Sequence, residues 1–359
     1  IAVETARAYG PGAPMGSRMM TGNTPKHLEL EKKFAAYMGK ESTILFNYGY
    51  LGVLGTIQAL CETTDTILID KLAHASMVDA MFMSRAQFRV WKHNDMNSLE
   101  SHLKKANRDR KGGVLVVTEG VYGMTGDVAP AADICYLKDK YEARLFMDDA
   151  HGFGVVGPTG RGTGELYDCQ DKIDVYLGTF AKAFAAIGGV AGGPQDVVEW
   201  VRFNARTQVF AKSLPIIYVE VLTRALDFVA GDHWRRERMW AVNRMLKEGL
   251  RELGYTVGDV PSPVTPVFVH IKDLRIAMAI IKAMRDEGVF ITGVMYPVVP
   301  KDIVLFRMIP TASHTDEDVA RTIAAFKKVR DDLRLDLAAV KSALDKGRSE
   351  EKAEDAAEA

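Results

Sequence analysis

Along the first half of the chain, short apolar runs alternate with stretches in which apolar positions recur every three or four residues. Residues 113–118 (GVLVVT), 144–147 (RLFM) and 175–178 (VYLG) are short, continuous and apolar. Such runs predict strands buried on both faces, because a strand with one wet face alternates instead. Residues 28–38 (LELEKKFAAYM) carry helical spacing and stop at Gly39, a C-terminal signal. Residues 131–141 read as a helix, as do 196–206, 215–230 and 234–253, and 47–55 as a Gly- and Tyr-rich turn leading into an apolar stretch. Strands alternating with helices predict a mainly parallel sheet covered on both faces. In such sheets ligands lie beyond the carboxyl ends of the strands. Past Gly254 the rhythm changes. Strands are expected over 264–271, 289–294 and 303–308, and helices over 275–287 and 315–333, which describes a smaller α+β domain. The expected layout is an N-terminal remnant (1–20), a large domain (21–230), a small domain (231–338) and a charged tail (339–359).

At 359 residues the chain suits about two domains. A net charge of −1 gives no electrostatic footprint for nucleic acid. The charges of the tail are of mixed sign, so it is no basic arm. The three cysteines, Cys61, Cys135 and Cys169, are spaced too widely for a CxxC metal site and read as reduced, buried thiols. No apolar run reaches the ~18 residues that a bilayer span needs. The first residue is Ile1, not Met, so the start of the gene product and any targeting segment are expected to precede it.

The candidate chemistry lies where two adjacent strands end. The run RLFM leads into Asp148, Asp149, Ala150 and His151; the run VYLG leads into Thr179, Phe180, Ala181 and Lys182. Any one of these residues has an ordinary explanation as a turn, cap or solvated side chain. Together they place carboxylates, an imidazole, a hydroxyl and an amine on one edge of the sheet. An amine in an apolar, Gly-rich stretch becomes a nucleophile toward carbonyls if desolvation lowers its pKa. A buried carboxylate can hold a proton on a heteroaromatic nitrogen. An aldehyde, a pyridine and a phosphate in one molecule make pyridoxal 5′-phosphate (PLP), and this residue set suits it.

The segments GTFAKAF (178–184) and DDAHGFGVVG (148–157) resemble the α-oxoamine synthases, fold-type I PLP-dependent transferases. So do GSRMMTGN (16–23), HLELEKKFAAYMGKE (27–41), DKLAHASMVDAM (70–81), EGVYGMTGD (119–127) and YPVVPK with FRMIPTASHT (296–315). The resemblance implies an α/β fold with a mainly parallel central sheet and a smaller C-terminal α+β domain. It also implies condensation of an amino acid with an acyl-CoA, usually with loss of carbon dioxide. Lys182 resembles the lysine that bonds the cofactor. Asp148 resembles the partner of the pyridine nitrogen, and His151 the donor to the phenolic oxygen. His74 resembles the histidine on the ring face that helps to orient the substrate carboxylate. Thr179 and the amides of Gly49 and Tyr50 resemble the phosphate ligands. Arg307 resembles the arginine that grips the amino acid carboxylate. Ser213 resembles a residue that reaches a neighbouring subunit's phosphate, since the family forms dimers with shared sites.

The plainer readings are a helix cap for His74, a surface ion pair for Arg307 and a simple turn for Gly49 and Tyr50. His27, His93, His102, His233 and His270 read as structural or exposed, and Met15, Met19 and Met20 as packing residues. Gly152, Gly154 and Gly157 satisfy G-x-G-x-x-G, but Pro158, Gly160 and Gly162 follow where a dinucleotide fingerprint opens a helix. Two positions depart from the family: Ala181 stands where Ser is frequent, and Gly123 where the E-G-V-[FY]-S-M-x-G motif has Ser. An acyl-CoA-lining segment would precede Ile1. The motifs resemble bacterial serine palmitoyltransferases most, which implies L-serine and palmitoyl-CoA. Glycine with a short acyl-CoA and alanine with pimeloyl-CoA, the 8-amino-7-oxononanoate synthase reaction, stay open. The rival classes are a non-catalytic regulatory partner subunit, against which Lys182 argues, and an oxidoreductase resting on the glycine triplet. A cytoplasmic homodimer is expected, with any membrane attachment residing in the segment before Ile1.

Overall fold

The computed structural model describes residues 1–231, 233–258, 262–271, 273–296, 299, 301–340 and 344. The charged tail thus lies outside the described residues except for Ala339, Val340 and Leu344, as do Pro297, Val298 and Pro300 of the YPVVPK motif. The strands among the described residues are β1 (Ser42–Phe46), β2 (Thr66–Asp70), β3 (Gln87–Trp91), β4 (Val114–Glu119), β5 (Arg144–Asp148), β6 (Val175–Thr179), β7 (Gly189–Gly193), β8 (Thr256–Val257), β9 (Thr265–His270), β10 (Thr292–Val294) and β11 (Ile303–Met308).

They form two sheets. The first has seven strands in the order β1-β7-β6-β5-β4-β2-β3. Strands β2 to β6 run parallel, and β7 runs antiparallel to both neighbours, β1 and β6. This is the fold-type I PLP-dependent architecture. The central strands β4 and β6 are buried at every residue, as their unbroken apolar runs require. Two apolar clusters fill the large unit. One is built around Phe34, Trp91, Phe153 and Phe180, the other around Ile44, Phe46, Ile69 and Phe146. The second sheet is antiparallel, in the order β10-β11-β9-β8. Its core gathers Leu250, Val267, Ile280, Phe306 and Phe326.

The chain divides into two compact units, residues 1–122 with 128–233, and residues 123–127 with 234–359. The short segment 123–127 belongs to the second unit although its neighbours in sequence belong to the first. Residues 1–20 join the first unit: Ser213 and Ile216 donate backbone hydrogen bonds to the carbonyls of Gly16 and Ala13.

The turn expected over 47–55 is instead the start of a helix, Gly49–Leu60. Glycines at 49, 52 and 55 argued for a turn, but each stands where a side chain would collide. A Cβ on Gly49 would lie 2.8 Å from Thr179 Oγ1, and one on Gly55 would lie 2.0 Å from Thr207 Oγ1. The helix expected over 196–206 breaks at the extended Ala205 into Gln195–Asn204 and Arg206–Val209. The three cysteines are buried and free.

Candidate active site

The carboxyl ends of β5 and β6 are neighbours in the sheet, so Asp148 and the loop after Thr179 are brought together by register. The two aspartates at the end of β5 have opposite roles. Asp149 is enclosed: its carboxylate accepts from Thr163 N, from Thr163 Oγ1 at 3.0 Å and from the Tyr176 hydroxyl at 2.7 Å. A Cβ on Gly120, Gly152 or Gly162 would come within 2.3 Å of its oxygens. Asp149 is therefore a structural anchor, and its backbone carbonyl also takes the amides of Gly152 and Phe153, which folds the turn carrying the half-buried His151. Asp148 is 5% exposed and accepts from Ala150 N at 3.1 Å. Burial pushes its pKa up to about 6, and the nearby Lys182 ammonium opposes that rise. A carboxylate this poorly solvated suits a cationic ring nitrogen as partner.

Lys182 sits on the loop between β6 and β7. Phe180 N donates to Gly188 O at 2.9 Å, Ala186 N to Phe180 O and Ala185 N to Lys182 O, so the backbone is closed on both sides of the lysine. Two buried rings fix the loop from below. Phe180 stacks on Phe34 at 4.9 Å between centroids, and Phe184 stacks on Phe153 at 5.1 Å. The side chain of Lys182 itself is exposed. This corrects the expectation of an amine desolvated by its apolar surroundings: the flanking Phe180 and Phe184 take the buried positions. Its charge lowers the pKa of both Asp148 and His74, which places the amine near the two.

His74 caps the helix Ala75–Ser84. Its Nδ1 accepts from Ser76 N at 3.2 Å and lies 2.8 Å from Ser76 Oγ. The capping reading of this residue is therefore correct, and it coexists with proximity to the lysine. Burial first, and the Lys182 charge second, lower its pKa, so the ring is neutral near pH 7. With Nδ1 accepting, the proton resides on Nε2.

The helix Gly49–Leu60 begins without a side-chain cap, which leaves its first amides, those of Gly49 and Tyr50 among them, to an external acceptor. The Thr179 hydroxyl lies against that first turn. Tyr50 is otherwise engaged through its hydroxyl, which donates to Asp79. Ser213 is 3% exposed, and its Oγ has no hydrogen-bond partner among the described residues. An uncapped helix start beside a hydroxyl, a buried acid near an amine and an orphaned buried hydroxyl fit PLP. No cluster of metal-ligating side chains occurs among the described residues.

Arg307 belongs to the second unit, on β11, and its Nε donates to the carbonyl of Gly123. The glycine at the family's Ser position thus contributes its backbone to holding the arginine. Of the histidines read as structural, His27 is fully buried, with its ring bonded to Thr24 Oγ1 and Leu214 O at 2.7 Å each. Nothing in the residue order marks Tyr176 and Thr163 as the partners of Asp149. The D-D pair signalled only that one of the two acids had to be held by something.

Residues 4–326 match the class I and II aminotransferase family. The chain is 43% identical over 334 residues to a cysteate-C-fatty acyltransferase of Capnocytophaga ochracea, covering 92% of this chain and 79% of the relative. It is 38% identical over 329 residues to a serine palmitoyltransferase of Bacteriovorax stolpii, covering 92% and 77%. Among solved structures it is similar to a serine palmitoyltransferase from S. paucimobilis with a bound PLP–myriocin aldimine, with a TM-score of 0.87 and 29% identity over 92% of this chain and 82% of that one. The chain belongs to the class I and II aminotransferase family, among its α-oxoamine synthases, and is a PLP-dependent acyltransferase.

Proposed function

We propose that the chain condenses an amino acid with a fatty acyl-CoA, releasing coenzyme A and carbon dioxide. L-Serine is the acceptor and palmitoyl-CoA the donor, and the product is 3-ketodihydrosphingosine. The observation that carries the reading is the buried Asp148 within the field of Lys182, at the strand ends beside an uncapped helix. When bound, PLP supplies an electron sink for the substrate's α-carbon. Lys182 Nζ would hold the cofactor at its aldehyde carbon and, as a free amine, would take the substrate's α-proton. Asp148 keeps the ring nitrogen protonated, and His151 donates to the phenolic oxygen. Thr179 and the amides of Gly49 and Tyr50 hold the phosphate. Ser213 reaches the phosphate of a partner subunit in a homodimer with shared sites. Arg307, steadied at Nε by Gly123, grips the substrate carboxylate, and the neutral His74 orients it.

A second acceptor, L-cysteate, is favoured by the 43% identical relative. Cysteate carries a sulfonate where serine carries a hydroxyl, so only cysteate calls for a cationic group beside the acceptor's side chain. Release of coenzyme A is the test, measured for serine, cysteate, glycine and alanine against palmitoyl-, acetyl- and pimeloyl-CoA. Turnover highest with palmitoyl-CoA and serine supports the first reading, and with cysteate the second. A preference for pimeloyl-CoA with alanine, or for acetyl-CoA with glycine, overturns both.

A further inference from the structure

We propose that Asp70 is a positioning residue of the active site, which sets the loop that presents His74 and does so with the backing of His93. The proposal rests on the reading of His74 as the residue that orients the substrate.

Asp70 closes β2, and three residues separate it from His74 at the head of the next helix. Its side chain is fully buried, with 0% exposure, while that of His93 is 21% exposed. A buried carboxylate is tolerated only when its oxygens are satisfied. Here they are bonded by backbone groups from two loops. Oδ1 accepts from Leu72 N at 2.8 Å and lies 2.9 Å from His93 Nδ1; Oδ2 accepts from Asn94 N at 3.2 Å. The Tyr122 hydroxyl lies 2.8 Å from Thr118 Oγ1, and the Tyr122 ring meets the edge of His93 at 4.4 Å.

The loop leading to His74 is short and held at every step. Lys71 N donates to Trp91 O, Leu72 N to the Asp70 carboxylate and Ala73 N to Asp70 O, both backbone bonds being 3.0 Å. His74 follows and turns its Nδ1 inward onto Ser76. The direction of the His74 ring is thus fixed at its far side by its own helix and at its near side by Asp70. Two of the acceptors in this turn belong to one residue, so a change at Asp70 moves the whole loop. His93, read from sequence as merely structural, places its Nδ1 against the carboxylate and orients it.

Asp70→Asn tests the idea because it keeps the volume but puts an NH2 group where one of the oxygens accepts. Leu72 N–H or Asn94 N–H then faces a donor. Misplacing a group that orients substrate by about 1 Å costs on the order of 100-fold in rate, so a loss of about 10–100-fold in kcat/KM is expected, chiefly through the amino acid KM. In the PLP-free chain, hydrogen exchange at the Leu72 amide should speed up. In the loaded protein, the visible circular dichroism of the cofactor should change. His93→Gln, which perturbs the carboxylate from outside the loop, should do the same to a smaller extent and keeps the test alive if Asp70→Asn fails to fold.

A double-mutant cycle separates positioning from a general structural role. If Asp70 acts through His74, Asp70→Asn adds no further loss in a His74→Ala background, in kcat/KM or in the circular dichroism. Additive losses in the two backgrounds overturn the proposal, as does an unchanged amino acid KM in Asp70→Asn. If His74→Ala alone leaves kcat/KM unchanged, the reading of His74 is wrong, and a loss in Asp70→Asn then shows that Asp70 acts elsewhere.

Discussion

Asp148 is held where a carboxylate is poorly solvated, and this makes Asp148→Asn a substitution with two opposite effects. In the PLP-free chain the pKa moves from 3.8 to about 6. At about 1.36 kcal/mol per unit, keeping this group ionised costs about 3 kcal/mol. A folded pKa above the unfolded one means that the native state holds the proton more tightly, so stability falls as pH rises from about 4 to about 6. Above that window the loss is complete. Asparagine has the same shape, can still accept from Ala150 N and does not ionise. The PLP-free Asn variant should therefore be more stable than wild type at pH 8, and the advantage should shrink as pH falls through 6 toward 4. For a unit of this size roughly 2–4 °C per kcal/mol applies, so the gain in Tm at pH 8 approaches 6–12 °C. With PLP added the order should reverse, because the wild-type carboxylate gains a cationic partner and asparagine does not. The assay is a set of melting curves for both proteins across pH 4–8, with and without PLP. A variant less stable than wild type at pH 8, or a difference that does not change with pH, would refute the reasoning.

Asp149→Asn should behave in the opposite way. Its carboxylate serves Thr163 and Tyr176 donors, so an NH2 group leaves a buried donor opposed and lowers stability by about 1–3 kcal/mol in denaturant melts at pH 7; a neutral outcome contradicts the anchoring role. Gly49→Ala puts a methyl group 2.8 Å from Thr179 Oγ1 and should weaken PLP binding at least tenfold by fluorescence titration, with a lower unliganded Tm as Thr179 gives way; unaltered affinity removes the phosphate from that site. Arg307→Lys loses the paired donors that suit a carboxylate and should raise the amino acid KM about 10–100-fold with the acyl-CoA KM unchanged; an equal rise in both argues against the assignment.

Much of the catalytic edge was legible because its chemistry is written in residue type. Asp148 and Thr179 end continuous apolar strands, with Lys182 three residues past the second, and buried parallel strands show as unbroken runs. What stayed hidden has a physical cause in each case. Strand β7 reads GVAGG, a composition that argues against a strand. Its glycines are there because a Cβ on Gly189 would come within 3.0 Å of the Gly49 Cα, and one on Gly193 within 2.7 Å of the Asp174 carbonyl. Close backbone approach inside the sheet, between β1 and β6, thus erased the signal that side chains normally give. The same crowding disguised the helix at Gly49 as a turn. The exposure of Lys182 was not legible either, because an apolar neighbourhood in sequence does not say which of its residues point inward. Here Phe180 and Phe184 do. The division of work between Asp148 and Asp149 depends on Tyr176 and Thr163, which lie many residues away and meet the acid only in the folded chain.

The central claim is that Lys182 carries the cofactor. PLP-loaded protein reduced with borohydride, digested and analysed by mass spectrometry tests it most directly. The visible band should vanish on reduction, and the added mass of the reduced cofactor should appear on the peptide containing Lys182 and on no other. Stoichiometric label on a different lysine, or loaded Lys182→Ala protein that still shows the band and traps the cofactor to the same extent, would contradict it.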